Sequence, residues 1–320
     1  MIDLMVPAPL GVAESGGRAL FRALLRAATT VPAKLDHAHG LWRPGEHLHH
    51  RVREVAIPLG GSHTPGHLLV PHGGRGATIV LARGGACTDP VTHGRWVRAL
   101  LDRGLAVLTF DLDGHGESPR TLSGPGIAED VPAAVAFARS QPEVDPARVG
   151  LLGFDLGGAC VLQAAAHDPA IRAVATVGSA HRLQIDDWSQ VGEAFGLLNP
   201  EVAHAWLQGT PALVNAVLRT RVRLPGGTPP AELGDPRVLR AAAEALRHLN
   251  PLDSATALRA PLLVVHGEWD CLTPSWQAEA LHKRAGGPCE LLIAPRRNHL
   301  TLLLSRRAIL AAAEFLTGRV

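Results

Sequence analysis

Residues 149–166, VGLLGFDLGGACVLQAAA, pass from an aliphatic run through a glycine-rich turn into an alanine-rich helix with no spacer between them. So abrupt a strand-to-helix turn requires small residues at its crowded positions, here Gly153 and Gly157, because a side chain there would strike neighbouring backbone. The central residue of such a turn is pushed to the rim of the sheet, beside free N–H groups and the positive end of the following helix. In this chain that residue is Asp155.

From residue 52 onward, short aliphatic or β-branched runs alternate with helical stretches, the pattern of strand-helix-strand units around a mainly parallel, doubly wound sheet. Strands are expected near 52–57, 67–70, 77–82, 105–110, 148–153, 172–177, 262–266 and 289–293, and helices near 91–103, 127–139, 156–167, 274–284 and 302–317. About eighty residues separate the strand ending at Val177 from the one starting at Leu262, far more than a crossover needs, so a helical lid is expected there. The division that follows is an N-terminal extension (1–50), a first core segment (51–180), a lid (181–257) and a second core segment (258–320).

Three further stretches stand in register with the elbow: GLAVLTFDLDGHGES at 104–118, PLLVVHGEWDCLTP at 261–274 and RRNHLTL at 296–302. Together with the 149–166 stretch they resemble the α/β-hydrolase fold family, whose elbow reads GxSxG in its serine members, and they cover about two thirds of the chain in the family's order. The resemblance implies a triad of Asp155 as nucleophile, Asp270 as acid and His299 as base, with Glu268 as a competing acid. It also implies an oxyanion hole made by the backbone N–H groups of Leu156 and Gly85. In the loop Leu81-Ala82-Arg83-Gly84-Gly85, Arg83 replaces the family's histidine and puts a guanidinium near the mouth of the site. It is a candidate to bind a substrate carboxylate or halide, to pair with Asp155, or to point into a hydrogen-bonded loop.

An aspartate at the elbow changes the chemistry. A carboxylate is already ionised at neutral pH and attacks without help, and its natural target is a saturated carbon bearing a leaving group. Attack on an ester carbonyl would instead give an anhydride. The alkyl ester formed on Asp155 is then hydrolysed by water that His299 activates, the scheme of the haloalkane dehalogenases and epoxide hydrolases, which this elbow resembles. Epoxide hydrolases donate a proton to the opening ring from lid tyrosines, and this chain has no tyrosine. Haloalkane dehalogenases place tryptophan directly after the nucleophile, where this chain has Leu156. Trp188, Trp206 and Trp276 are candidate indole donors in the pocket, although packing is the commoner role of such residues. Three accounts of Asp155 therefore stand open. It is a working nucleophile with an unrecognised leaving-group device, or it marks a fold kept for binding a ligand, or it replaces the serine of an esterase, by nature or by design.

The remaining sequence narrows the setting. A formal charge of +2, from 31 basic and 29 acidic side chains without a basic block, argues against nucleic acid as a partner. No apolar run reaches the ~18 residues of a membrane span, so a soluble protein acting on a small molecule is expected. Four cysteines without a CxxC spacing and an N-terminus without a signal-like segment point to the cytoplasm. Leu20, Phe21, Leu24 and Leu25 form one helical face, to be packed on the core or on the mate in a homodimer. His37, His39, His47, His49 and His50 cluster without a carboxylate or cysteine at ligand spacing, so no metal is expected, and the triad itself needs no cofactor.

Overall fold

The computed structural model describes residues 43–73, 75–84, 90–183, 222–226, 229–231, 235–270 and 272–320. The expectations placed on 1–42 and 184–221, among them the N-terminal helix, Trp188 and Trp206, lie outside the described residues, as do Gly85 and Cys271.

The described strands are β1 (Gly45–Glu46), β2 (His50–Leu59), β3 (Ser62–Pro71), β4 (Gly76–Ala82), β5 (Ala106–Phe110), β6 (Val144–Phe154), β7 (Val174–Val177), β8 (Leu262–Gly267) and β9 (Cys289–Ala294). They form one sheet in the order β1-β2-β3-β5-β4-β6-β7-β8-β9. The first three strands and the β3–β5 pair are antiparallel, and every pair from β5 to β9 is parallel.

The sheet is covered on both faces, which its near-continuous aliphatic strands require. Along β4, Ile79 and Leu81 enter one apolar cluster while Val80 and Ala82 enter the other, and Leu151 and Leu152 of β6 divide in the same way. One face is packed by α1 (Pro90–Leu101) and the C-terminal helix α8 (Arg306–Thr317), through Trp96, Val97, Leu100, Ile309, Phe315 and Leu316. The other carries α2 (Gly124–Arg139), α3 (Leu156–His167), α4 (Pro236–Leu249), α5 (Pro251–Ala257) and α6 (Trp276–Arg284). A short α7 (His299–Leu302) precedes α8, so the single helix expected over 302–317 is split by a turn before Ser305, whose side chain caps α8 through the Ala308 N–H.

The far end of the long β7–β8 connection is folded onto this second face. α4 and α5 pack against α2 and α3, with Leu246, Leu249 and Ala255 in the shared core. Ahead of them the chain returns beside the 111–118 loop: Val222 bridges His115 and Ala231, Leu122 N–H donates to Arg223 O, and Arg223 donates through Nη1 to Gly116 O and Ser118 O.

Candidate active site

Strands β6, β7, β8 and β9 are consecutive neighbours and run parallel, so the loops leaving their C-terminal ends converge on one rim. Asp155 follows β6 directly, Gly178 follows β7, Asp270 lies three residues past β8 and His299 begins α7 beyond β9. An open parallel sheet places its functional loops at this rim.

At the elbow, Asp155 has φ 49° and ψ −118°, a conformation that a non-glycine residue adopts only under strain held by its surroundings. Those surroundings are tightly packed backbone. Asp155 N–H donates to Val177 O, and Gly158 N–H donates to Asp155 O. A Cβ on Gly153 would lie 2.4 Å from Gly157 O, and one on Gly157 would lie 2.4 Å from Ala82 O. The turn therefore tolerates no side chain at either glycine. Gly84 is equally close, since a Cβ there would come within 2.5 Å of Gly157 N and 2.8 Å of Leu156 N. The loop after β4 is thus laid against the N-terminus of α3.

His299 Nδ1–H donates to Asp270 Oδ2 at 2.8 Å, and its Nε2 faces Asp155 Oδ1 at 3.8 Å. One imidazole stands between two carboxylates. Burial alone would lower the His299 pKa, but the charges of Asp270 and Asp155 and the bond to Asp270 raise it to about 9. Burial would raise Asp270, and His299, His266 and the Thr273 N–H bring it below the ordinary carboxylate range. Burial dominates at Asp155, whose pKa is raised, with Asp270 adding to the rise and His299, the Leu156 N–H and His115 opposing it.

Asp270 rather than Glu268 reaches the histidine. Glu268 Oε2 instead accepts from Arg296 N–H at 2.8 Å, pinning the turn between β9 and α7 where Arg296 has φ 54°. Arg83 is buried and its Nη2 donates to Asp111 Oδ1 at 2.6 Å. The other oxygen of Asp111 accepts from Glu117 N–H at 3.0 Å, so of the three places open to this guanidinium it takes the one within the loop framework. Leu156 is buried at the start of α3. Trp276 is exposed at the start of α6, with the His181 ring packed edge-on at 5.4 Å between centroids and the Arg182 guanidinium 5.2 Å over its face.

Several residues around the site carried no sequence signal. Thr273, fully buried, donates its N–H to Asp270 Oδ1 at 2.8 Å and places its hydroxyl 3.0 Å from Asp270 Oδ2. His266, also fully buried, donates from Nε2 to Thr273 O and lies 3.4 Å from Asp270 Oδ2. His115 Nδ1–H donates to Asp113 O at 2.9 Å, and burial lowers its pKa against the charges of Asp111 and Asp155. Their one legible trace was position: His266 at the end of an aliphatic strand, Thr273 three residues past the acid, and His115 inside the DGHGES stretch. Among the described residues no three His, Cys, Asp or Glu side chains converge as metal ligands, and no helix is long and apolar enough to cross a membrane.

The sheet order, with Asp155, His299 and Asp270 gathered at one rim, is that of the α/β-hydrolase fold. Residues 66–221 match the family described as alpha/beta hydrolase fold. The uncharacterised Mycobacterium tuberculosis protein Rv2307c is 27% identical over 269 residues, covering 83% of this chain and 79% of that protein. Among solved structures, the 2,6-dihydroxy-pseudo-oxynicotine hydrolase superposes with a TM-score of 0.62 at 20% identity, covering 84% of this chain and 68% of its own. Acetyl xylan esterase 1 from Thermoanaerobacterium superposes with a TM-score of 0.58 at 18% identity, covering 87% and 86%.

Proposed function

We propose that the protein hydrolyses a small, largely apolar and uncharged molecule at a saturated carbon, with Asp155 as covalent nucleophile and His299 activating water. The observation that carries this reading is the placement of one imidazole between two carboxylates, bonded to Asp270 and facing Asp155 across 3.8 Å. That gap is too long for the hydrogen bond through which a serine hands over its proton. A carboxylate has no proton to hand over and does not need the bond.

In the first step an Asp155 oxygen forms a bond to carbon, and the leaving group, an epoxide oxygen or a halide, departs with the electron pair. While both carboxylates are charged they hold His299 in its cationic form at neutral pH. Esterification neutralises Asp155, so the imidazole loses one of its two anions and releases its proton to the leaving group or to solvent. It is then a base. Water attacks the Asp155 carboxyl carbon while His299 takes its proton, and the charge on the carboxyl oxygen falls beside the Leu156 N–H. Collapse breaks the bond to the alkyl oxygen, which leaves as an alcohol with the proton from His299. The pairing of Arg83 with Asp111 supports an uncharged substrate, because the guanidinium of the loop laid against the N-terminus of α3 is engaged by a carboxylate of the protein.

A single turnover of styrene oxide or 1-bromobutane in heavy-oxygen water tests the scheme. The label is expected in the Asp155 carboxylate, read by mass spectrometry of its peptide. Turnover with label in the product alone overturns it. A second reading, an esterase whose serine has become Asp155, is favoured by the LLGFDLGG context and by likeness to an acetyl xylan esterase. Asp155→Ser assayed on a chromogenic acetate ester decides for that reading if strong activity appears where the parent has none.

A further inference from the structure

The triad acid is held more closely than its contact with the histidine requires. Asp270 Oδ1 accepts from Thr273 N–H at 2.8 Å, which closes the turn that carries the acid. Oδ2 receives His299 Nδ1–H at 2.8 Å and has the Thr273 hydroxyl at 3.0 Å. The same hydroxyl lies 3.2 Å from His299 Nδ1 and 3.2 Å from Gly178 O. His266 clamps the turn from below, with its Nε2–H on Thr273 O. All of this is buried: Asp270 is 4% exposed and Thr273 and His266 are fully covered.

A hydroxyl carries one proton, and here it has two acceptors. Gly178 O is a neutral carbonyl at the longer distance, whereas Asp270 Oδ2 is charged and closer. A charge-assisted hydrogen bond is about twice as strong as a neutral one, so the proton belongs on Oδ2. We propose that Thr273 is a positioning residue of the site: its hydroxyl donates to Asp270 Oδ2, turns that oxygen toward His299 and limits how tightly the acid holds the imidazole proton. The inference rests on the triad arrangement but not on the identity of the substrate or on covalent attack.

The physical consequence has a definite sign. Donation to Oδ2 draws charge away from the oxygen that faces His299, so removing the donor strengthens the pull of Asp270 on the imidazolium. The charged and titratable groups facing this imidazole are Asp270 and Asp155, with His266 behind the acid. A change at the Thr273 hydroxyl acts first on Asp270 Oδ2 at 3.0 Å, and also touches His266, whose Nε2 lies 3.4 Å from that hydroxyl. Thr273→Val keeps the branched shape and the backbone N–H while deleting the hydroxyl, and Thr273→Ser keeps the hydroxyl.

The test is the titration of His299 by NMR in protein carrying labelled histidine, which requires no substrate. The His299 resonance is identified among the 17 histidines by its loss in His299→Gln. In Thr273→Val the His299 pKa is expected to rise by about half a unit or more, and in Thr273→Ser to stay at the parent value. Should Thr273→Val fail to fold, Thr273→Ala carries the same expectation. An unchanged titration in the hydroxyl-free variant, or a fall, overturns the proposal, a fall meaning that the hydroxyl acts as an acceptor for Nδ1–H. A shift that Thr273→Ser fails to restore overturns it as well, since the effect would then be one of packing. Failure of heavy oxygen to enter Asp155 would leave this result standing, so the two readings fail separately.

Discussion

Beneath the loop that carries His115 lie two carboxyl groups that the chemistry does not use, Asp113 and Asp130, each 1% exposed. Asp130 Oδ2 accepts from Asp113 N–H at 2.7 Å, and Arg120 Nε lies 2.9 Å from Asp113 Oδ2. Burial and the charge of Asp113 push the Asp130 pKa from 3.8 to about 8, the Asp113 N–H and Arg120 opposing. Burial raises Asp113 too, so at neutral pH the pair retains a proton. Because the native pKa of Asp130 is the higher one, its protonated form stabilises the fold fully below pH ~3.8, and that contribution is lost as pH rises through about 8. At ~1.36 kcal/mol per unit the loss is on the order of 4 kcal/mol at pH 7. Asp130→Asn reproduces the protonated group at every pH, with an oxygen for Asp113 N–H and a donor for the Asp113 carboxylate. Urea unfolding between pH 4 and 9 is expected to show little difference from the parent at pH 4. The variant's advantage then grows by ~1.4 kcal/mol per unit and levels off above about pH 8. A difference that does not change with pH, or a variant less stable than the parent at pH 8, refutes the reasoning.

Asp155→Asn removes one of the two anions beside His299, so the His299 pKa, raised to about 9 in the parent, is expected to fall. The same NMR titration reads it, and an unchanged value would separate the two side chains in solution. Gly157→Ala would force a Cβ to within 2.4 Å of Ala82 O and is expected to cost roughly 3 kcal/mol in urea unfolding; a cost under ~0.5 kcal/mol would mean that the elbow relaxes freely. Arg83→Met leaves Asp111 buried without its partner, a loss of about 3–5 kcal/mol, and addition of Asp111→Leu is expected to recover part of it. A double variant as unstable as two independent losses would show the pair to be uncoupled. Asp155→Gly relieves the strain at φ 49° and is expected to raise stability by about 1 kcal/mol while abolishing turnover; lower stability would place the strain elsewhere.

The parallel strands and the turn at Asp155 were legible because each depends on a local pattern. Aliphatic runs of five or six residues marked β4, β5, β8 and β9 to within a residue or two, and the glycines around Asp155 marked a turn that only small residues permit. What lies between patterned segments was harder to read. Glu268 and Asp270 are two residues apart, and only the turn at Arg296, which consumes Glu268, assigns the acid. Arg83 had three destinations in sequence, and its pairing with Asp111 carried no local pattern, because Asp111 arrives from a strand that neighbours β4 in the sheet but follows it by a helix in the chain. Thr273 and His266 act through hydrogen bonds with no periodicity, so no pattern announced them. The amphipathic α4 was assigned to the lid segment, and its Val238, Leu246 and Leu249 lie in the core of the second face.

An aspartate acting as proposed at the elbow does more than replace one nucleophile with another. In a serine site the resting proton is on the hydroxyl and the histidine must be neutral to take it. On the proposed reading Asp155 has no proton to give, and Asp270 and Asp155 together hold one on His299, whose pKa is raised to about 9. At neutral pH such a histidine is mostly protonated and a poor base while the Asp155 charge remains, and the proposed esterification of Asp155 would remove it. On the proposed mechanism the order of events follows from the electrostatics: the covalent step comes before water is activated, because it creates the base for the next step. A ligand that merely occupied the pocket would leave Asp155 charged and His299 protonated, so the His299 titration in single-turnover mixtures separates a covalent enzyme from a binding protein that has kept the fold.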